Sequence, residues 1–388
     1  MMTSPAWIEV DTAAISNNIA VVRRLLPETT QLCGVVKADA YGHGVDLVLP
    51  VLMAAGVDLI GVTSNDEART ARALGFRGRV IRLRTATKEE IEDAGDLLIE
   101  EWVGGLQHAR IVESAARSTR RTIPVHVALN STGLSRDGID FGTTAYRADL
   151  AAIGRLTALR TVGICAHFPC EDAGDVAEGA AAFRAQSAEA VALLAPGGLA
   201  QRHCATSFAA LTVPSSRFDL VRIGAALYGD TSAPVTGLRP AIAFVSQIAA
   251  VNEYPEGRSV GYDRTFVTRR ASRLAVVPVG YGSGLHRNLG GRADVLVRGR
   301  RARVVDKLAM NSCVIDVTDI PSVRIGDEVV LCGSQGDEQI SFHDLERASG
   351  QIAADLYTAW GGLLPRRALR ENRAAPVRPS AGGPLVWR

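Results

Sequence analysis

Leu32-Cys33-Gly34-Val35-Val36-Lys37-Ala38-Asp39-Ala40-Tyr41-Gly42-His43-Gly44 is an apolar run that ends in one lysine and then turns on two glycines. Leu32 to Lys37 predicts a strand with the lysine at its end. Partial burial there lowers the pKa of the amine and frees its lone pair for attack on a carbonyl, which makes Lys37 a candidate Schiff-base former. Tyr41, four residues on, adds a hydroxyl to the same pocket. A lysine at a strand terminus also commonly does no more than reach for water, so the rest of the chain has to decide.

Outward from this stretch, short β-branched runs alternate with helical patterns. Strands are predicted at Leu32 to Lys37, Leu59 to Val62, Arg79 to Leu83, Leu97 to Val103, Val125 to Leu129, Val162 to His167, His203 to Thr206 and Leu220 to Ile223. Amphipathic helices such as Asn65 to Leu74 and Val176 to Leu194 lie between them. Eight strands with intervening helices predict a TIM barrel rather than an open sheet, and such a barrel does its chemistry at the C-terminal ends of its strands. Lys37, Arg136, His167, Ser207 and Arg222 all fall at or just after such ends.

Past Gly237 the rhythm changes to strand after strand: Phe244 to Val251, Arg273 to Val279, Ala293 to Val297, Ala302 to Val305, Cys313 to Val317 and Glu328 to Leu331. Turn signals such as Arg298-Gly299-Arg300 separate them, so this half reads as a mainly antiparallel β domain. One helical stretch, Phe342 to Trp360, closes it. The expected division is a barrel over 8–237, a β domain over 238–370 that the first strand can join, and a loosely held tail over 371–388 rich in Pro, Gly, Ala and Arg.

Composition narrows the function. With 43 basic against 41 acidic residues the charge is nearly balanced, and no basic stripe with interleaved aromatics is present, which argues against nucleic acid. No stretch is long and apolar enough to cross a bilayer. The segment Met1 to Trp7 runs into Ile8-Glu9-Val10-Asp11 without the pattern of an export signal. The six cysteines, Cys33, Cys165, Cys170, Cys204, Cys313 and Cys332, are scattered and sit mostly in apolar runs. They read as reduced thiols of a cytoplasmic protein, neither a disulfide framework nor a metal site.

The segment Lys37-Ala38-Asp39-Ala40-Tyr41-Gly42-His43-Gly44 resembles the pyridoxal-phosphate lysine motif of the alanine racemase family, with Asp39 where that family often has Asn. The resemblance extends from Trp7-Ile8-Glu9-Val10-Asp11 to the final helix. It implies a barrel plus β domain, a pyridoxal 5'-phosphate cofactor, an amino-acid substrate and a head-to-tail homodimer whose sites are shared between subunits. Lys37 would be the Schiff-base lysine and one of two bases. Tyr262, in Val260-Gly261-Tyr262-Asp263-Arg264, would be the other base, supplied by the partner subunit. Racemisation needs a base on each face of the reacting carbon, one to remove the proton and one to return it.

Further roles follow from the same resemblance. Arg222, in Phe218-Asp219-Leu220-Val221-Arg222-Ile223-Gly224, would face the pyridine nitrogen. Arginine stays protonated, so it donates a hydrogen bond and withholds a proton from the ring, which suppresses transamination. His167 would lie by the cofactor and bond the catalytic tyrosine, with His203 behind Arg222. Tyr41, the Ser207 hydroxyl and the amides of Gly224 and Ala225 would hold the phosphate. Arg136 and the backbone of Met310 would meet the substrate carboxylate, and Tyr281 would gate the channel.

Departures from the family pattern bear on substrate. Ala128 and Leu129 replace a lysine that many alanine racemases carbamylate and pair with the arginine matching Arg136. Asn311 replaces a frequent acidic residue, Ser283 stands where an acidic residue is common, and Asp306-Lys307 departs from the usual Gly-Arg. The segments around Asn130, Tyr262 and Asn311 are closer to broad-specificity amino-acid racemases, and removal of an excluding carboxylate widens what a pocket accepts. The expected activity is therefore pyridoxal-phosphate-dependent racemisation of alanine, serine or a wider set. The alternatives are aldol or hydroxymethyl-transfer chemistry on the same cofactor, and a non-catalytic pyridoxal-phosphate carrier. Retention of both Lys37 and Tyr262 argues against the first, and the β domain against the second.

Overall fold

The computed structural model describes residues 4–194 and 200–369. The expected tail, 371–388, lies outside the described residues. The eight barrel strands are β2 (Gln31–Val35), β3 (Leu59–Val62), β4 (Arg79–Arg82), β5 (Ile99–Val103), β6 (Ile123–Ala128), β7 (Leu159–Cys165), β8 (Gln201–His203) and β9 (Leu220–Ile223), following β1 (Ala6–Val10). Neighbours pair in parallel in the order β8-β7-β6-β5-β4-β3-β2-β9. Between β8 and β9 the ring is joined by the Asp219 amide to the Arg202 carbonyl at 3.1 Å and the Arg222 amide to the Ala205 carbonyl at 3.0 Å. The predicted barrel is thus present, with strand ends shifted by a few residues from the expected ones.

Helices start where the side chains can satisfy the first free amides. Ser64 accepts from the Glu67 amide while Glu67 accepts from the Ser64 amide, and Thr87 with Glu90 repeats the arrangement. Cys33, Leu59, Ile81 and Leu220 pack together as one buried cluster, and Trp102, Ala128 and Cys165 as a second. Most of the remaining apolar core lies in one continuous cluster that also takes in the C-terminal β structure.

β1 pairs antiparallel with β10 (Ile242–Gln247) and parallel with Arg366–Ala368, so both ends of the described chain enter the same sheet. The expected strand Phe244 to Val251 is two strands. β10 belongs to this large sheet, whereas Ala250–Tyr254 pairs with Ser272–Val277 in a three-stranded one. The chain changes sheet at Ile248 and Ala249, whose amides bond Asp327 and Val276 respectively. The single predicted helix Phe342 to Trp360 is likewise two, Phe342–Ser349 and Ala353–Leu363. Gly350 ends the first in the left-handed conformation at φ 70°, which glycine reaches at little cost.

Candidate active site

The lysine turn is the most unusual piece of backbone. β2 ends at Val35, two residues before Lys37, and Ala38, Asp39, Ala40 and Tyr41 then adopt φ between 52° and 55°. Four successive left-handed residues that are not glycine cost roughly 1–2 kcal/mol each, so the surroundings must hold them. Glu67 accepts from the Ala38 amide at 2.6 Å, and Asp39 accepts from the Val45 amide at 2.8 Å. Arg366, from the last described strand, reaches Asp39 at 2.5 Å. His43, fully buried, points Nδ1 at the carbonyls of Ala40 and Tyr41 at 3.1 and 3.0 Å, so Nδ1 carries the hydrogen. Burial pulls the pKa of this imidazole down to about 4, against those two hydrogen bonds.

Lys37 itself is half-buried, with its ammonium 5.5 Å from the centre of the Tyr41 ring. Desolvation lowers its pKa, Arg136 and Arg222 lower it further, and Glu67 opposes them. The result is an amine disposed to lose its proton, as a nucleophile or base must be.

A small cradle lies beside it. The Ser207 hydroxyl accepts from the amides of Gly224 and Ala226 at 3.2 and 3.3 Å. Ala225, expected at this place, lies between the two amides that bond Ser207. A Cβ on Gly224 would stand 2.4 Å from the Tyr41 hydroxyl, so only glycine lets that hydroxyl come in. Tyr228 stacks on His43 at 4.3 Å and donates to the Val35 carbonyl at 2.8 Å. Tyr357 is fully buried with its ring 6.4 Å from Tyr41, and it donates to Asp230 at 2.8 Å.

Arg222 is buried and almost fully committed. Nη1 donates to His203 Nδ1 at 2.6 Å and to the His203 carbonyl at 3.2 Å. Nη2 donates to the Ala166 carbonyl at 2.7 Å, and to the Cys204 carbonyl and His167 Nδ1 at 3.2 Å. Among the described residues its Nε hydrogen has no acceptor, so one directed donor is left for a ligand. Because arginine only donates, Nδ1 of His167 accepts and its Nε2 carries the hydrogen. Burial, with Arg222, Arg136 and Lys37 nearby, holds the pKa of His167 down at about 3, so the ring is neutral at physiological pH.

Lys37, Tyr41, His167, Ser207, Arg222 and Gly224 are thus gathered around the C-terminal ends of the barrel strands, with His203 behind Arg222. Arg136 is exposed and forms no side-chain hydrogen bond or ion pair among the described residues. Tyr262, Tyr281, Met310 and Asn311 form a separate group. The Gly282 amide donates to the Met310 carbonyl at 2.7 Å, and Lys307 pairs with Asp263, next to Tyr262, at 2.6 Å. Tyr262 is 59% exposed, Met310 55% and Tyr281 42%, and no hydrogen bond or ion pair among the described residues ties this group to the Lys37 site. Within one chain the two predicted bases are not brought together.

Sequence reasoning missed Glu67, Glu100, His126, Tyr228, Asp230 and Arg366. Glu67 was legible only as the fourth residue of a helix cap, Ser64-Asn65-Asp66-Glu67. Of the others, His126 and Tyr228 stand in apolar runs, Glu100 beside Glu101, Asp230 between Gly229 and Thr231 and Arg366 beside Arg367, and nothing in their spacing marks them.

This arrangement has known counterparts. Residues 10–232 match the family model for the N-terminal domain of alanine racemase, and residues 241–368 match that for its C-terminal domain. A broad specificity amino-acid racemase of Aeromonas hydrophila is 44% identical over 95% of this chain and 90% of its own length. A lysine racemase of Proteus mirabilis is 39% identical over 93% of this chain and 89% of its own. The crystal structure of alanine racemase from a D-cycloserine-producing Streptomyces lavendulae superposes with a TM-score of 0.85 at 32% identity, covering 95% of this chain and 98% of that one. The chain belongs to the alanine racemase family and is an amino-acid racemase, an isomerase.

Proposed function

We propose that the protein is a pyridoxal 5'-phosphate-dependent racemase of broad amino-acid specificity, working as a homodimer in the cytoplasm, with a barrel over 8–237 and a β domain over 238–370. The observation that carries the cofactor is the uncommitted Nε hydrogen of buried Arg222 in the same pocket as the desolvated amine of Lys37. The donor set fits the group. Lys37 would hold its aldehyde carbon covalently, Arg222 Nε would donate to its ring nitrogen, and Ser207, Tyr41 and the amides near Gly224 would hold its phosphate. A glycine at 224 leaves the close approach that a dianion needs.

When bound, the cofactor withdraws electron density from the substrate's α-carbon and so acidifies the hydrogen there. Lys37 Nζ takes or gives that proton on one face. The Tyr262 hydroxyl of a second copy does the same on the other, assisted by the Nε2 hydrogen of neutral His167. Arg222, which only donates, would leave the ring nitrogen unprotonated and so favour return of the proton to the α-carbon. Arg136, with no partner among the described residues, and the backbone of Met310 of the second copy receive the substrate carboxylate, while Asn311 of that copy bounds the side chain and Tyr281 lines the entry.

The exposed group around Tyr262, Tyr281 and Met310 supports the dimer, since among the described residues of one chain no hydrogen bond or ion pair ties Tyr262 to the Lys37 site, and a second copy can supply it. The names of the relatives, broad specificity and lysine racemase, support a wide substrate range, as do Ala128 and Leu129 in place of a lysine. The thiols, five of the six buried, fit a reducing compartment. No helix among the described residues is long and apolar enough to cross a membrane. Incubation with a panel of L-amino acids followed by chiral chromatography tests the reading. D-enantiomers of several side-chain classes are expected, and turnover of none, or of alanine alone, would overturn it.

A further inference from the structure

Behind Arg222, hydrogen bonds run on across the barrel. His203 Nε2 lies 2.9 Å from His126 Nδ1, and His126 Nε2 lies 2.8 Å from Glu100. Glu100 takes a bidentate pair from Arg79 at 2.8 and 2.9 Å, and Arg79 also bonds Gln201, the first residue of β8, at 2.7 Å. His126, His203 and Arg222 are fully or almost fully buried, and Glu100 is 9% exposed. The series starts at the N-terminal edge of the strands, where Arg79 opens β4, and ends at the cofactor side.

The direction of every hydrogen in it is set by its two ends. Arg222 has only hydrogens to give, so His203 Nδ1 must accept and its Nε2 must carry the hydrogen. That hydrogen goes to His126 Nδ1, which leaves the His126 hydrogen on Nε2, facing Glu100. A carboxylate there accepts it, and Arg79 keeps Glu100 ionised. Burial opposes the charge on Glu100, yet the bonds from His126 and Arg79 outweigh it and bring its pKa to about 2. Burial likewise lowers the pKa of both imidazoles, so the rings stay neutral.

Space is reserved for the central link. His126 is on β6 and His203 on β8, with β7 between them. At Gly163 of β7 a Cβ would stand 1.9 Å from His126 Nδ1, the atom that bonds His203. Any side chain at 163 would displace the ring.

We infer that Glu100, His126 and Gly163 are positioning residues for the racemase reaction: through His203 they fix the lone pair that holds Arg222 with its Nε hydrogen toward the cofactor's ring nitrogen. This rests on the placement of Arg222 proposed above. An amide at 100 can instead donate to His126, which turns each imidazole round and sets a His203 Nδ1 hydrogen against Arg222. Two donors then face each other in a buried site, and Arg222 must move.

Nitrogen-15 NMR of the histidine side chains, on wild-type protein with and without cofactor, tests the tautomers and needs no substitution. His126 and His203 are both expected to carry hydrogen on Nε2 only. Glu100→Gln should change that pattern, lower kcat by about tenfold or more with a smaller effect on KM, and raise the keto acid released per racemisation. Gly163→Ala should do the same while leaving every charge in place, which covers the case in which Glu100→Gln does not fold. A hydrogen on His203 Nδ1 in the wild type, or unchanged kcat and keto-acid yield in a folded Gly163→Ala, would overturn the inference. Arg222→Gln separates it from the reading on which it rests. Unchanged keto-acid yield there would remove Arg222 from the ring nitrogen, whereas the tautomers of the wild type are decided independently.

Discussion

Gly361 and Gly42 lie back to back. A Cβ on Gly361 would fall 1.9 Å from the Gly42 carbonyl oxygen, and one on Gly42 would fall 2.3 Å from the Tyr357 carbonyl oxygen. The C-terminal helix Ala353–Leu363 therefore presses directly on the turn that aims Lys37. Backbone meets backbone at this contact, so no side-chain rotation can relieve a methyl group placed there.

Gly361→Ala should accordingly destabilise the protein by roughly 1–3 kcal/mol and loosen cofactor retention, because the lysine turn has to shift. Gly362→Ala is the control. Its Cβ would meet nothing within 4 Å, and a helix favours alanine over glycine by about 1 kcal/mol, so this variant should be as stable as the wild type or more so. Denaturant titration of the pair checks the contrast, and equal stabilities would show that the helix does not press on the turn.

Lys37→Ala should remove covalent attachment of the cofactor altogether. No other lysine is placed among Arg222, Ser207 and Tyr41, so borohydride treatment should fix no pyridoxyl group to this variant. Racemisation should fall below detection. A pyridoxyl label recovered on another lysine would reassign the role.

Tyr262→Phe keeps the ring and deletes one acid-base group. Cofactor attachment should be retained and racemisation should fall by about 10²–10⁴-fold. In heavy water, exchange of the α-hydrogen should persist from one enantiomer only. Mixing this variant with Lys37→Ala should restore some activity if the two groups come from different subunits, since one shared site in the mixed dimer would then be intact. Equal exchange from both enantiomers would take Tyr262 out of the mechanism.

Asp230 brings a pH dependence. Burial pushes its pKa up to about 6, the hydrogen bond from Tyr357 opposes this, and Glu346 and Glu171 add to it. The folded value thus exceeds the unfolded one, near 3.9. Its favourable contribution is complete below the unfolded value and is lost as pH rises through about 6. Asp230→Asn should remove that part of the stability profile between about pH 4 and pH 6. Parallel profiles for the two proteins across this window would mean that Asp230 titrates normally.

Substrate breadth is tested at Asn311. Asn311→Asp restores an acidic residue common in alanine-specific relatives, and an unpaired carboxylate beside the substrate side chain must be desolvated by larger substrates. Turnover of serine and of longer uncharged side chains should fall relative to alanine by the equivalent of roughly 1–3 kcal/mol. An unchanged ratio of kcat/KM values would place specificity elsewhere.

The barrel was legible because its signals are local. Strand runs such as Leu59 to Val62 and Leu220 to Ile223 end on turn chemistry that any single stretch displays, and the structure places both as expected. The lysine motif was legible for the same reason, since Lys37 to Gly44 is continuous in the chain. The left-handed turn inside it was not, because Ala38, Ala40 and Tyr41 have no intrinsic preference for that conformation. Glu67 holds the Ala38 amide from 29 residues away, Asp39 of the turn holds the Val45 amide six residues on, and Arg366 reaches Asp39 across 327 residues.

By itself, then, the sequence determined the order of the barrel strands, the change from βα units to antiparallel strands, and the continuous Lys37 to Gly44 segment from which candidate chemistry was read. Each of these depends on periodicity or on neighbours within a few residues. The tertiary structure alone decided that the strand at Phe244 leaves its sheet at Ile248, that Gly361 meets Gly42, and that Glu100, His126 and His203 stand in line behind Arg222. Those relations join single residues on separate strands and helices, whose distances are set only when the barrel closes and the C-terminal helix docks on it.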